Sequence, residues 1–179
     1  MAAEVAPEPD IDQGGTTGED GAAVLDLRVD PSPGSLRGTR WRGYRLPGLS
    51  LPAADLARLY VEACELDGAD LRASNLSELH VIDSRLKGAR LSDVSAPLAL
   101  LVNVDLRGAD LRRADLSRST LTYCDLRQAQ LEGADLSHTV WSHCDLRGVD
   151  LSGCRLEGAR GDFFWDHATR WPASFIPRD

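Results

Sequence analysis

The chain has 179 residues, of which 42% are hydrophobic and 27% charged, and its formal charge is −8. That is the composition of one ordinary folded domain. No apolar run approaches the roughly 18 residues a membrane-spanning helix needs, and the four cysteines show neither C-x-x-C nor zinc-like spacing.

The opening stretch, MAAEVAPEPDIDQ, is acidic and lacks the basic and apolar parts of a signal peptide. A cytoplasmic protein is therefore expected. Residues 1–30 hold eight acids and one base, Arg28, so the tail carries −7 of the total charge and the remainder is close to neutral. Residues 1–22 offer almost no large apolar side chain against their ordering entropy and read as a disordered acidic tail. Residues 23–45 read as an N-terminal strand and cap. VLDLRV, residues 24–29, alternates as a short strand does, and Trp41 and Tyr44 can cover an open solenoid end. Arg37, Arg40, Arg42 and Arg45 lie beside them; four arginines without lysine make a thin case for nucleic acid, and no direct nucleic-acid contact is expected.

From residue 46 onward the chain has a period of five. Of the 23 positions stepped by five from Leu46 to Leu156, nineteen are leucine; the exceptions are Val61, Val81, Ala96 and Trp141. A small residue commonly sits two positions before each of these frame residues, and an aspartate directly before it. Five fits neither the 3.6 of a helix nor the 2.0 of a strand, and a fixed short period marks a repeat architecture.

The triplets Ala69-Asp70-Leu71, Ala109-Asp110-Leu111 and Ala134-Asp135-Leu136 resemble those of the bacterial pentapeptide-repeat family. The resemblance implies an all-β chain folded as a right-handed quadrilateral parallel β-helix. Four pentapeptides make one coil, so residues 46–161 would form about six coils. The small residue and the leucine would point inward and the other three residues outward. Glycines after the leucine, as in R-G-A-D, fit a tight turn at each corner.

Residues twenty apart then share a face. Three faces are densely charged, with Asp105, Asp125 and Asp145 stacked beside Arg107, Arg127 and Arg147. The fourth, through Val61, Val81, Leu101, Leu121 and Trp141, presents Tyr60, Ile82, Leu100, Val102, Thr120, Thr122, Tyr123 and Val140. A long apolar stripe on a rod reads as an interaction surface; internal cover by a terminal segment is the alternative. Its most apolar part is SAPLALLV, residues 95–102, where Pro97 removes a ladder donor and is expected to introduce a local kink or bulge. Trp141 is large for a leucine slot, so a bulge or a side chain reaching the C-terminal end is expected.

Cys64, Cys124, Cys144 and Cys154 all fall on the small inward position and read as core packing. Cys124 and Cys144 would lie on successive coils, within reach of a disulfide that a reducing cytoplasm disfavours. Residues 162–179 break the frame and hold Phe163, Phe164, Trp165, Trp171 and Phe175, five of the ten aromatics. They read as a C-terminal cap. The T-x-W-P-x-x-F portion is similar to the ending of many members of the family, some of which dimerise there, so a homodimer contact is the second expectation.

His80, His138 and His143 occupy outward positions with no second ligand at a metal spacing. A leucine-filled rod offers no pocket for a Ser142–His143–Asp145 triad. No enzyme activity, metal or cofactor is expected. The first functional reading is a non-catalytic scaffold that binds a protein partner through the apolar face. The second follows from the resemblance: some members mimic DNA and bind DNA gyrase, conferring quinolone resistance. The near-neutral solenoid and the absence of phenylalanine at its frame positions weigh against that second reading.

Overall fold

The computed structural model describes residues 36–177, together with the two-residue strands β1 (Thr16–Thr17) and β2 (Ala23–Val24), which pair antiparallel. The expectations of a disordered residue 1–22 tail and of a strand over 24–29 otherwise lie outside the described residues.

The solenoid frame is the parallel quadrilateral β-helix that the family resemblance implies. Seven strands form one parallel sheet in sequence order: β3 (Arg40–Arg42), β4 (Tyr60–Glu62), β5 (His80–Ile82), β6 (Leu100–Val102), β7 (Thr120–Thr122), β8 (Val140–Asp145) and β9 (Arg160–Phe164). From β3 to β8 each pairs with the next in strict register, twenty residues apart, as Val61↔Val81 and Leu101↔Leu121 do. The other three faces pair by single bridges, such as Asp105↔Asp125 and Asp115↔Asp135.

The frame leucines and small residues fill one continuous core; Leu56, Leu121, Leu126, Leu136 and Leu151 are wholly buried. The interior holds an apolar void of about 40 Å³. Cys64, Cys124, Cys144 and Cys154 are free and buried in this core. Burial holds the Cys64 thiol above its ordinary range and pushes Cys154 up to about 12. Cys124, hydrogen-bonded to Cys144 and buried, is also raised.

Nearly every corner is turned by a residue with positive φ two positions after the frame residue, Gly153 being an exception. Glycine fills some of these corners, such as Gly68 and Gly108, but fifteen hold other residues, including Arg58, Leu98 and Tyr123. On three faces the turn is closed by a backbone bond back to the frame residue, as from Ala69 N–H to Leu66 O at 3.0 Å. The N–H of the residue just after the frame residue stays outside the ladder, and the aspartate before the leucine takes it. Asp55, Asp105, Asp115, Asp125, Asp135 and Asp145 accept in this way at 2.9–3.3 Å. This is why aspartate precedes leucine: a short acceptor satisfies an amide the coil leaves over.

The same accounting corrects the expectation at Pro97. It occupies a position whose N–H the ladder does not use, so proline forfeits nothing and no kink forms. Its carbonyl accepts from Glu78 N–H at 3.0 Å, and Leu98 N–H continues the ladder to Ser117 O.

The regular register is interrupted at Trp141 and resumes at Asp150↔Arg170. Its indole is buried, donates to Thr139 Oγ1 at 2.7 Å and meets Phe163 edge-on. Gly161 lies directly on it; a Cβ there would overlap the Trp141 carbonyl, so only glycine fits. The pairing then slips by one residue, with Cys144↔Phe163 and Asp145↔Phe164. Both expected accommodations of Trp141, a bulge and a contact with the C-terminal segment, are present. Beyond it, Phe163, Trp171 and Phe175 pack against the core as a run of rings 5.2 Å apart.

Candidate interaction surface

The strand face differs from the other three in its backbone before any side chain is considered. Its corners lack the closing turn bond; Cys64 N–H instead donates to Ser84 Oγ on the next coil at 3.0 Å. Three residues per coil therefore run extended, and no aspartate precedes the frame residue. That position holds Tyr60, His80, Leu100, Thr120 and Val140. β-branched and aromatic side chains suit such a pleated, half-buried surface.

The predicted interface residues all lie on this strip. Tyr60, Ile82, Leu100, Val102, Thr120, Thr122 and Val140 are half-buried, each covered in part by its neighbours one coil above and below. Tyr123 stands at the corner beside them and is 59% exposed. The structure adds residues the sequence reading passed over. Leu98, at the opposite corner, is 55% exposed with φ of +62°. His143 stacks on Tyr123 at 5.0 Å and meets Phe164 edge-on. Among the described corners with positive φ, Leu98 is the one aliphatic side chain larger than alanine, and that anomaly was the available signal.

The predicted C-terminal residues divide. Phe163, Trp171 and Phe175 face the core, whereas Phe164 and Trp165 are 56% and 38% exposed. With Tyr123, His143 and Arg147 these last two line an open cleft of about 700 Å³. The grouping of Ser142 with His143 does not make a catalytic relay. Ser142 Oγ and Asp162 Oδ2 both approach the same ring nitrogen, Nδ1, at 3.0 and 3.3 Å, and Asp145 is taken by Arg147. Among the described residues no cluster of metal-ligating side chains occurs, and no helix is long and apolar enough to cross a membrane.

The remaining faces are charged but internally neutralised. Asp70, Asp105, Asp110, Asp125 and Asp145 each bind the arginine two residues on through both carboxylate oxygens, at 2.6–3.0 Å. The side-chain hydrogen bond from that arginine holds the carboxyls of Asp70, Asp105, Asp110 and Asp145 below the usual range. Residues 36–177 carry 18 basic and 19 acidic side chains.

The chain matches the family described as pentapeptide repeats, in eight copies over residues 54–93, 99–137 and 124–160. No curated protein matches it. Among solved structures it is similar to QnrB1, a plasmid-mediated fluoroquinolone resistance protein. The trypsin-treated form is 19% identical, with a TM-score of 0.54 over 71% of this chain and 84% of that one. It is also similar to a pentapeptide repeat protein from the Arabidopsis thaliana thylakoid lumen, at 22% identity, TM-score 0.42, and 59% and 70% of the two chains. Rfr23 from the cyanobacterium Cyanothece 51142 is 25% identical, with a TM-score of 0.37 over 74% and 90%. The five-residue frame, the four-sided coil and the family match over more than half its length agree: this chain belongs to the pentapeptide-repeat family.

Proposed function

We propose that the chain is a non-catalytic binding protein whose strand face takes a protein partner. One observation carries this reading. Of four faces, this one alone carries no aspartate before its frame residues, and from β4 to β8 it presents Tyr60, Ile82, Leu100, Val102 and Val140, with Leu98 and Tyr123 exposed at its two corners. Apolar and aromatic groups grouped on a rigid, flat support are the composition of an interface centre.

Gyrase binding is the weaker reading. Its support is likeness of fold to a fluoroquinolone resistance protein. A phosphate mimic needs a negative surface that stays free to meet a basic groove, and here the aspartate columns are tied to arginines of the same face.

The test introduces Leu100→Asp with Val102→Asp. Loss of partner capture, with circular dichroism and thermal midpoint unchanged, supports the strand face. Capture that persists in this variant overturns it. A gyrase supercoiling assay, with and without a quinolone, addresses the second reading; an effect that survives removal of residues 1–30 would place that activity on the solenoid rather than on the polyanionic tail.

A further inference from the structure

The side chains on and beside the strand face are arranged so that the face complements itself when turned end for end. β6 is the middle strand of seven. A two-fold axis lying in the face along β6 maps β5 onto β7, β4 onto β8 and β3 onto β9, and keeps each corner on its own side. At the centre, Leu98, Leu100 and Val102 would meet their own copies.

The flanking residues then pair by charge and by size. On the Leu98 side, Glu78 would face the partner's Arg118. Arg118 is exposed and makes no ion pair among the described residues. Glu78 is bound on one oxygen by Arg58 at 3.2 Å, which leaves the other available. Within one chain Glu78 and Arg118 lie two coils apart, about 10 Å at the spacing of neighbouring strands, so they are not each other's partners. On the Tyr123 side, the larger side chains lie in the lower half of the rod. Gly43, Ala63 and Asp83 occupy the upper corners, whereas Tyr123 and His143 stand at the lower ones. End-for-end packing sets large against small: Asp83 against the partner's Tyr123, and Ala63 against the partner's His143. At the ends Arg42 would meet the partner's Asp162, while Arg40 would lie near the partner's Arg160, the one opposed like-charge pair.

We propose that the occupant of the strand face is a second copy of this chain, packed antiparallel about β6. This names a partner for the surface described above and rests on that reading. The strip is about 30 Å long and about 17 Å wide from corner to corner. It buries about 500 Å² per copy, or about 1,000 Å² in all, at the low end for a specific interface. An interface of that size belongs to the weak, concentration-dependent class.

The test is sedimentation equilibrium of the full chain across the micromolar range. The wild type is expected to pass from monomer to dimer as concentration rises. Glu78→Arg and Arg118→Glu should each weaken the dimer at least tenfold. Mixed together, the two variants should dimerise again, because each supplies what the other lacks at both symmetry-related contacts. Leu98→Gly, which removes the central side chain without loading the corner, should weaken the dimer while the thermal midpoint holds or rises. A wild type that stays monomeric overturns the proposal, as does a dimer indifferent to all three variants, since that dimer would use another surface. Either result leaves the strand-face reading standing on its own test, in which the Leu100→Asp, Val102→Asp chain is assayed for capture of a different protein.

Discussion

The strand face and the three faces beside it share one leucine core but solve the same backbone problem differently. On the three, each coil leaves an amide over, and where an aspartate precedes the frame leucine it accepts that amide; on two of these faces the carboxylate is then bound by the arginine two residues on. Their charge is a consequence of how the corner is turned. On the strand face the corner stays open, the residues run extended and no acceptor is needed at that site. Its surface positions are thereby free to carry apolar side chains. A regular solenoid can thus free one side for apolar side chains by changing the turn chemistry of that side alone.

If both kinds of face draw on one core, truncation should be blind to the face. Leu121→Ala on the strand face and Leu126→Ala on a charged face, both wholly buried, should each cost about 2–5 kcal/mol. Urea midpoints check this, and clearly unequal costs would break the shared-core view.

Away from the core the faces should part. Asp125→Ala removes the acceptor for Arg127 N–H and the bidentate partner of its guanidinium, and a loss of about 1 kcal/mol is expected. Thr122→Ala on the strand face should stay within about 0.5 kcal/mol. Equal losses would remove the distinction between a satisfying aspartate and a surface filler.

Acid titration sharpens the contrast. Asp70, Asp105, Asp110 and Asp145 have folded pKa values below their unfolded ones. Their stabilisation is complete above the unfolded carboxylate pKa near about 4 and is lost as pH falls through the lowered folded values. The thermal midpoint should be level from about pH 7 to 5 and fall below about pH 4. Asp110→Asn should flatten that acid limb, whereas Leu100→Asp with Val102→Asp should leave these four groups' share of it intact.

The smallest effect has the opposite sign. Leu98 holds a left-handed corner that glycine adopts without strain, so Leu98→Gly should raise stability by up to about 1 kcal/mol. A destabilised Leu98→Gly would mean that its side chain supports the fold rather than a partner.

The architecture was legible because the leucine frame runs from Leu46 to Leu156 without an insertion, and inward packing enforces that spacing coil after coil. The apolar stripe was legible for the same reason, since twenty-residue steps sort the outward residues into columns. Leu98 escaped because it lies one position outside the stripe, at a corner whose exposure depends on three-dimensional projection. Pro97 was misread because the unused N–H after each frame residue is a property of the coil, not of the local sequence. The one-residue slip below Trp141 has no signal except Gly161, whose need for a bare Cα appears only when the Trp141 carbonyl lies against it.

The C-terminal rings also bear on how the rod stays finite. An in-register parallel coil is an open template: its lower rim can accept the upper rim of another molecule, as strands add to a growing fibril. The slip between Trp141 and Phe163 does not alter that phase for good, because Asp150 and Arg170 pair twenty residues apart once more. What closes the lower rim is the run of Phe163, Trp171 and Phe175 packed against the core, which covers apolar side chains that a further coil would otherwise bury.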